Sequence, residues 1–348
     1  MPERNGIPPF SVISGRQVFG VLDGNEKKVV DIVESAYRLH GEGDTVNPPS
    51  YFLRFPDRPT SRIIALPASV GGDNSVDGVK WISSFPGNVA NGVPRASAVL
   101  ILNDHDTGYP IACLESSVIS AARTAASAAL AAAALTKGHD RPRRVGFLGT
   151  GLIARYLHTY LARTGWEFDE IGVHDLNAES ANGFRDYLDG AGTTGTITVH
   201  SDAESLIRGS DLVVLATVAG TPHIHEVDWF RHDPLVLNVS LRDLAPEIIL
   251  ISTNIVDDVD HCLKADTSPH LAEQLTGDRG FLSGTLFDVL ENRVELPKDR
   301  PLVFSPFGLG VLDLAVAKHV YDELGEAGAL SVVPDFFHET DRHRKADK

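Results

Sequence analysis

The stretch Val145-Gly-Phe-Leu-Gly-Thr-Gly-Leu-Ile-Ala-Arg155 constrains the fold of this chain more than any other. It reads as a buried strand, a glycine turn and the opening of a helix. In the pattern G-x-G-x-x-A, Gly149 permits a tight turn and Gly151 lets backbone approach a pyrophosphate. Ala154 lets the helix pack closely on the strand. Leu152, Ile153 and Ala154 form the first helical turn, whose N–H groups and partial positive charge suit a phosphate. Glycine patterns alone are common, so the flanks decide. Arg143 and Arg144 precede an apolar run, as in a buried parallel strand. Bulky residues recur at helical spacing from Leu152 to Thr164. A second short strand, Glu170 to Asp175, ends in an acid. Asp175 stands where such a unit needs a carboxylate for the adenosine ribose hydroxyls. Leu176 and Asn177 follow, with no cation to offset a 2′-phosphate, so NAD is expected rather than NADP.

A chain of 348 residues makes two domains the expectation. Its 43% hydrophobic and 22% charged residues suit a globular protein with a sizeable core. The net charge of −16 argues against nucleic acid and anionic membrane as partners, since both favour a basic face. Cys113 and Cys262 match no metal or redox spacing. Few cysteines, no signal peptide and no apolar run of about 18 residues point to the cytoplasm. Residues 1–10 read as an arm, and the charged tail 338–348 as frayed.

Val18 to His40 has the spacing of a single helix. Strands are expected at Tyr51 to Phe55, Arg62 to Leu66, Val76 to Ser84, Ala96 to Asn103 and Tyr109 to Leu114. Three cations stand out here: Arg54 inside an apolar run, Lys80 between Val79 and Trp81, and Arg95 after Pro94. Each alone is most simply a snorkelling or edge-strand charge. Ser116 to Thr136 is different. It carries one charge, Arg123, and Ala121 to Ala134 holds ten alanines. Such a helix is expected to be buried, and a guanidinium in it needs an anion. A protein carboxylate would serve, but we favour a substrate carboxylate or cofactor phosphate. Further buried strands are expected at Asp211 to Thr217, Pro234 to Ser240 and Asn254 to Asp258. Strand ends in open parallel sheets line the ligand crevice, which brings Thr217, Ser240, Arg242 and Asp243 into view. His223 and His225 form an H-x-H pair without a third ligand at useful spacing, and read as loop histidines. A second glycine turn, Ser305 to Gly310, precedes a helix near Val311.

These residues together resemble the ornithine cyclodeaminase/μ-crystallin family over most of the chain. The marks are Gly78-Val-Lys-Trp81, Ser120-Ala-Ala-Arg-Thr-Ala-Ala-Ser127, the Gly149 turn and Phe307-Gly-Leu-Gly-Val-Leu-Asp313. The resemblance implies an α/β fold with a Rossmann NAD-binding domain over 138–306. It also implies a discontinuous α+β substrate-binding and dimerisation domain over 1–137 and 307–348, and a homodimer. It implies that Arg54, Lys80 and Arg123 contact substrate, that Asp243 is the acid/base, and that Asp175, Thr217, Ser240 and Gly308 belong to the cofactor site. The segment Val239 to Glu247 departs from the family's glycine-rich form, which weighs against cyclodeamination. Three further stretches, Lys80 to Pro86, Arg95 to Asp104 and Pro110 to Glu115, look like the branch serving 2,3-diaminopropionate biosynthesis. That branch implies NAD-dependent oxidation of the secondary amine of N-(2-amino-2-carboxyethyl)-L-glutamate, followed by hydrolysis, for siderophore or peptide antibiotic pathways. Three carboxylates on that substrate suit Arg54, Lys80, Arg95 and Arg123, with Lys80 and Asp243 as catalytic groups. The alternatives are ornithine cyclodeamination, reduction of an imine or 2-oxo acid, and non-catalytic NAD-dependent ligand binding.

Overall fold

A computed structural model describes residues 7–138 and 140–338. Packing divides the chain into two units. One comprises Met1–Asp23, Thr45–Ile119 and Asp313–Lys348, the other Gly24–Asp44 and Ser120–Leu312. The second is α/β on a parallel sheet and the first is α+β on a largely antiparallel one, as expected. The divisions differ from 137/138 and 306/307, because two helices pack with the parallel sheet. These are Glu26–Glu42 and the alanine helix Ser117–Leu135. Small side chains on the alanine helix leave room for Tyr37, whose buried hydroxyl shares a 2.7 Å hydrogen bond with Ser127.

The second unit holds eight parallel strands. Their order is Thr196–Val199, Glu170–His174, Arg144–Leu148, Leu212–Leu215, Leu235–Asn238, Leu302–Ser305, Thr253–Val256 and Leu282–Thr285. Chain direction across the sheet reverses between Arg144–Leu148 and Leu212–Leu215, the switch point where such sheets bind ligands. Four-residue apolar strands such as Leu-Val-Val-Leu and Leu-Val-Leu-Asn are buried along their whole length. Leu148, Val213, Leu215, Val236, Ile248 and Val303 belong to one apolar cluster that glues helices to the sheet. The edge strand Leu282–Thr285 was not foreseen, because its Leu-Ser-Gly-Thr sequence has no apolar run.

The first unit is built on a mixed sheet with one buried and one exposed face. Its order is Ser331–Val332, Ser11–Ile13, Pro110–Glu115, Ala96–Asn103, Val76–Ser84, Arg58–Val70 and Thr45–Val46, with Tyr51–Phe55 also paired to Arg58–Val70. Period-two alternation separates the faces. Lys80, Leu100 and Leu114 lie in register on the buried side, while Trp81 and Val99 lie in register on the exposed side. Gly78 is bare because a Cβ there would meet the Ile101 carbonyl oxygen at 2.2 Å and Leu314 at 2.9 Å. The helix Gly310–Glu326 can therefore lie close against the strand.

Three expectations need correction. The single helix over Val18 to His40 is two, Gly15–Leu22 and Glu26–Glu42, broken where Gly24 takes φ +82°. The arm is not loose at Phe10, which is buried and stacks on Phe336 at 3.8 Å; residues 1–6, like the tail from 339 on, lie outside the described residues. The alanine helix does reach the length and hydropathy of a membrane span, contrary to the expectation that no run does. Its apolar stretch is 67% buried within the fold, as a core helix.

His158, on the glycine-turn helix Leu152–Arg163, is buried between Phe147 and Tyr187 with Nδ1 lacking a partner among the described residues. Burial pushes its imidazole down to about 4. The fold thus prefers the neutral ring. Its stabilising contribution is complete above the ordinary histidine pKa of about 6.5 and is lost as pH falls toward 4. Between pH 7 and 4.5 wild type should lose about 2 kcal/mol more stability than His158→Leu, read by urea unfolding at the two pH values.

Candidate active site

The glycine turn is built by close packing at the switch point. Gly149 has φ +89°, and a Cβ on it would lie 2.7 Å from the Ala216 carbonyl and 2.8 Å from the Thr217 nitrogen. Only glycine fits. Gly151 caps the following helix without a side-chain hydrogen bond, and a Cβ there would meet nothing within 4 Å. The space beside Gly151, at the start of the helix, is therefore open. Leu152 is exposed there, Ile153 is half-buried, and fully buried Ala154 packs on the sheet. Asp175 closes the turn. One carboxylate oxygen takes the Thr150 N–H and hydroxyl, each at 2.9 Å, and the other takes the Asn177 N–H at 2.9 Å. A carboxylate accepts about four hydrogen bonds, so Oδ1 keeps room for a ribose hydroxyl. An uncapped helix N-terminus, a bare Gly151 and a half-exposed acid fit a dinucleotide with an unphosphorylated ribose.

At the next two strand ends the residues converge on Asp243, which is fully buried. Thr217 Oγ1 donates to it at 2.5 Å and Ser240 Oγ at 2.6 Å. Both hydroxyl protons of these expected cofactor residues are thus directed at Asp243. His223 Nε2 lies 3.3 Å from Asp243 Oδ1, and the His223 side chain is 41% exposed. Of the H-x-H pair, then, His223 is the solvent-facing partner of a buried carboxylate, not merely a loop residue. Leu241 takes φ +76° two residues before Asp243. This is where the departure from the glycine-rich family form falls: a leucine holds a left-handed conformation that costs it about 1–2 kcal/mol.

The second glycine turn serves Arg123. Gly308 has φ +96°, and a Cβ on it would sit 2.6 Å from Arg123 Nη1. Buried Asp257 fixes this turn by accepting the Phe307 N–H at 2.9 Å and the Gly308 N–H at 2.6 Å. Burial raises the Asp257 pKa, against the pull of those N–H groups. At its neighbour Asp258, burial is outweighed by hydrogen bonds from His261 and His40, which hold that carboxyl well below the usual range. Asp257 had no motif to announce it.

Lys80 is not a snorkelling charge. It is 2% exposed, and its Nζ lies 2.6 Å from Oδ2 of Asp313, which is 0% exposed. Asp313 was visible only as the last letter of a motif. Arg54 lies on the exposed strand Tyr51–Phe55, over the Phe52 ring at 5.0 Å. Arg95 is half-buried and donates to the Ser84 hydroxyl at 2.8 Å. Between them is Arg62, paired in register with Arg54 on one side and Ser84 on the other. In the sequence it stood only as the first residue of an expected strand, Arg62 to Leu66.

The pattern of the ornithine cyclodeaminase/mu-crystallin family matches residues 21–328. The chain belongs to this family. One family relative, the N-((2S)-2-amino-2-carboxyethyl)-L-glutamate dehydrogenase of Staphylococcus aureus, is 29% identical over 312 residues, 86% of this chain and 91% of that protein. The alanine dehydrogenase of Archaeoglobus fulgidus is 26% identical over 323 residues, 89% of this chain and 94% of its own. Among solved structures, the Δ1-pyrroline-2-carboxylate reductase of Thermococcus litoralis, in complex with NADH and L-proline, shares the fold. Its TM-score is 0.83 at 24% identity, over 93% of this chain and 100% of that one.

Within the family fold the Lys80–Asp313 pair makes a sharp prediction. Removing one member takes away the countercharge held 2.6 Å from the other's buried charge, and breaking such a buried pair costs about 3–5 kcal/mol. Lys80→Ala should therefore be strongly destabilised in denaturant unfolding, beyond any loss of activity. Lys80→Met with Asp313→Leu should recover most of that stability.

Proposed function

We propose that the chain oxidises N-(2-amino-2-carboxyethyl)-L-glutamate with NAD and water to 2-oxoglutarate, L-2,3-diaminopropionate, NADH and a proton, for siderophore or peptide antibiotic assembly. The observation that carries this reading is a charge imbalance. In a chain of net charge −16, Arg54 on the Tyr51–Phe55 strand and Arg95 just before the Ala96–Asn103 strand have no carboxylate partner among the described residues. A substrate with three carboxylates supplies what they lack; ornithine, with one, does not. The resemblance to the staphylococcal dehydrogenase supports the same choice.

The Gly149 turn, the N–H groups of Gly151 to Ala154 and Asp175 hold the dinucleotide, with Gly308 as a further cofactor contact. When bound, the nicotinamide supplies the hydride acceptor. Arg54, Lys80, Arg95 and Arg123 bind substrate carboxylates, so that orientation rather than new chemistry is the main contribution of these side chains. Lys80 reaches that role with its charge already balanced by Asp313. Asp243 is the acid/base of the proton steps at the substrate amine and at the added water. Because Asp243 itself is buried, it acts through His223, which lies 3.3 Å away and is open to solvent. Thr217 and Ser240 fix the carboxylate in place.

The test is direct. Incubation with NAD and N-(2-amino-2-carboxyethyl)-L-glutamate should give NADH, with 2-oxoglutarate and diaminopropionate identified by mass spectrometry. NADP should be reduced far more slowly. No NADH while NAD remains bound defeats the reading, and proline plus ammonia from ornithine would replace it with cyclodeamination.

A homodimer belongs to the same proposal. Tyr51, Trp81 and Val99 stand on the exposed face of the first sheet, in line across strands through Ala65, with Leu53 beside them. Such a connected apolar row suits a second copy. Trp81→Glu should shift the mass measured by light scattering toward the monomer, while an unchanged mass removes this face from the contact.

A further inference from the structure

We infer that Arg62 is a specificity-determining residue. With Arg54 and Arg95 flanking it, it takes a substrate carboxylate remote from the reacting carbon. This deepens the dehydrogenase reading and rests on its tricarboxylate substrate.

The placement is fixed by strand register. Arg54 opposes Arg62, Arg62 opposes Ser84, and Arg95 reaches Ser84 Oγ at 2.8 Å. Directly opposed residues in antiparallel strands share a face with side chains about 5 Å apart. Three guanidiniums thus gather around the end of the Val76–Ser84 strand. Arg62 is half-buried, unlike exposed Arg54. None of the three has an ion pair to a carboxylate among the described residues, whereas Arg38, Arg143, Arg144, Arg208 and Arg279 all do. Burial lowers the pKa of Arg62, and the charge of Arg54 lowers it further. Burial likewise lowers Arg95, with Arg62 adding to it. Each charge is therefore made less comfortable by the next, which is the signature of a site completed by an anion.

The other end of the same strand behaves differently. Lys80 lies on the same face, four residues from Ser84, or about 13 Å along the strand. Asp313 already neutralises it. The uncompensated positive charge is thus concentrated at the Ser84 end. A monocarboxylate amino acid can use only one end of such a face. An amino acid with carboxylates at both ends can span it, with the planar fork of Arg62 taking the distal one in bidentate fashion.

The experiment compares wild type, Arg62→Ala and Arg62→Lys as full chains with NAD present. On N-(2-amino-2-carboxyethyl)-L-glutamate, Arg62→Ala should raise KM about 10- to 100-fold, the loss of one charge-assisted hydrogen-bonded contact. Its kcat should stay within about threefold, and Arg62→Lys should recover part of the KM. On N-(2-amino-2-carboxyethyl)-L-glutamine, which lacks the distal charge, wild type and Arg62→Ala should be alike. Arg62→Ala should also melt no lower than wild type, since its neighbours lose a repulsive partner. An unchanged KM on the triacid, or a clear drop in melting temperature, overturns the inference and leaves the dehydrogenase reading standing. If wild type does not turn over the triacid, that reading fails by itself. Calorimetry with propane-1,2,3-tricarboxylate then decides the inference: binding weakened by Arg62→Ala upholds it, and equal binding or none overturns it.

Discussion

Lys80 is an ammonium ion taken out of water, and the first unit is arranged around the need to bring Asp313 to it. An isolated charge in that position would be expelled or neutralised. Two features make the pairing possible. Gly78, two residues away, has no side chain, so the helix bearing Asp313 and Leu314 can approach the strand. The alternation of the strand then turns Lys80 inward and Trp81 outward. A buried pair of this kind is poor evidence for net stability, because desolvation offsets most of the attraction. What it does supply is a fixed point between one strand and one helix, with Nζ and Oδ2 held at 2.6 Å.

Charge is handled differently in each unit. In the second, buried carboxylates are met by backbone and hydroxyl donors. Asp257 takes two N–H groups from the Phe307–Gly308 turn, and Asp243 takes two hydroxyls. Such donors hold a carboxylate in one orientation without adding a countercharge. In the first unit, Arg54, Arg62 and Arg95 crowd together around the Ser84 hydroxyl. The first arrangement makes a rigid acid. The second leaves an anion to be supplied from outside.

Much of this was legible from residues alone, and the reasons are local ones. The Gly149 turn could be read because strand, turn and helix succeed one another within about fifteen residues, each with its own period. The alanine helix could be read because ten alanines leave little other choice. The misses are long-range or cross-strand. Asp313 is 233 residues from Lys80, and no spacing rule reaches that far. Arg62 becomes notable only when register sets it between Arg54 and Ser84. The histidine pair at 223 and 225 invited a metal question, while the real partner of His223 was an aspartate twenty positions on. The break between the first two helices had a local signal, Asp23-Gly24-Asn25, which the strong apolar spacing on either side outweighed.

The pairing of Ser11 with Val332 means that the first sheet joins strands from opposite ends of the chain. On a ribosome, residues 120–312 can collapse as one continuous piece, whereas the first sheet, though most of its strands lie within 45–115, is finished only by the pairing of Ser331–Val332. Until residue 313 emerges, Lys80 has no aspartate to meet, and until residue 332 emerges the Ser11–Ile13 strand keeps one open edge. Closing so long a loop is slow, and a half-made sheet with an exposed edge is prone to pair with a neighbouring chain. Synthesis of this protein therefore carries a window of vulnerability late in elongation, and the step that ends it is the arrival of the C-terminal helix and the short strand behind it.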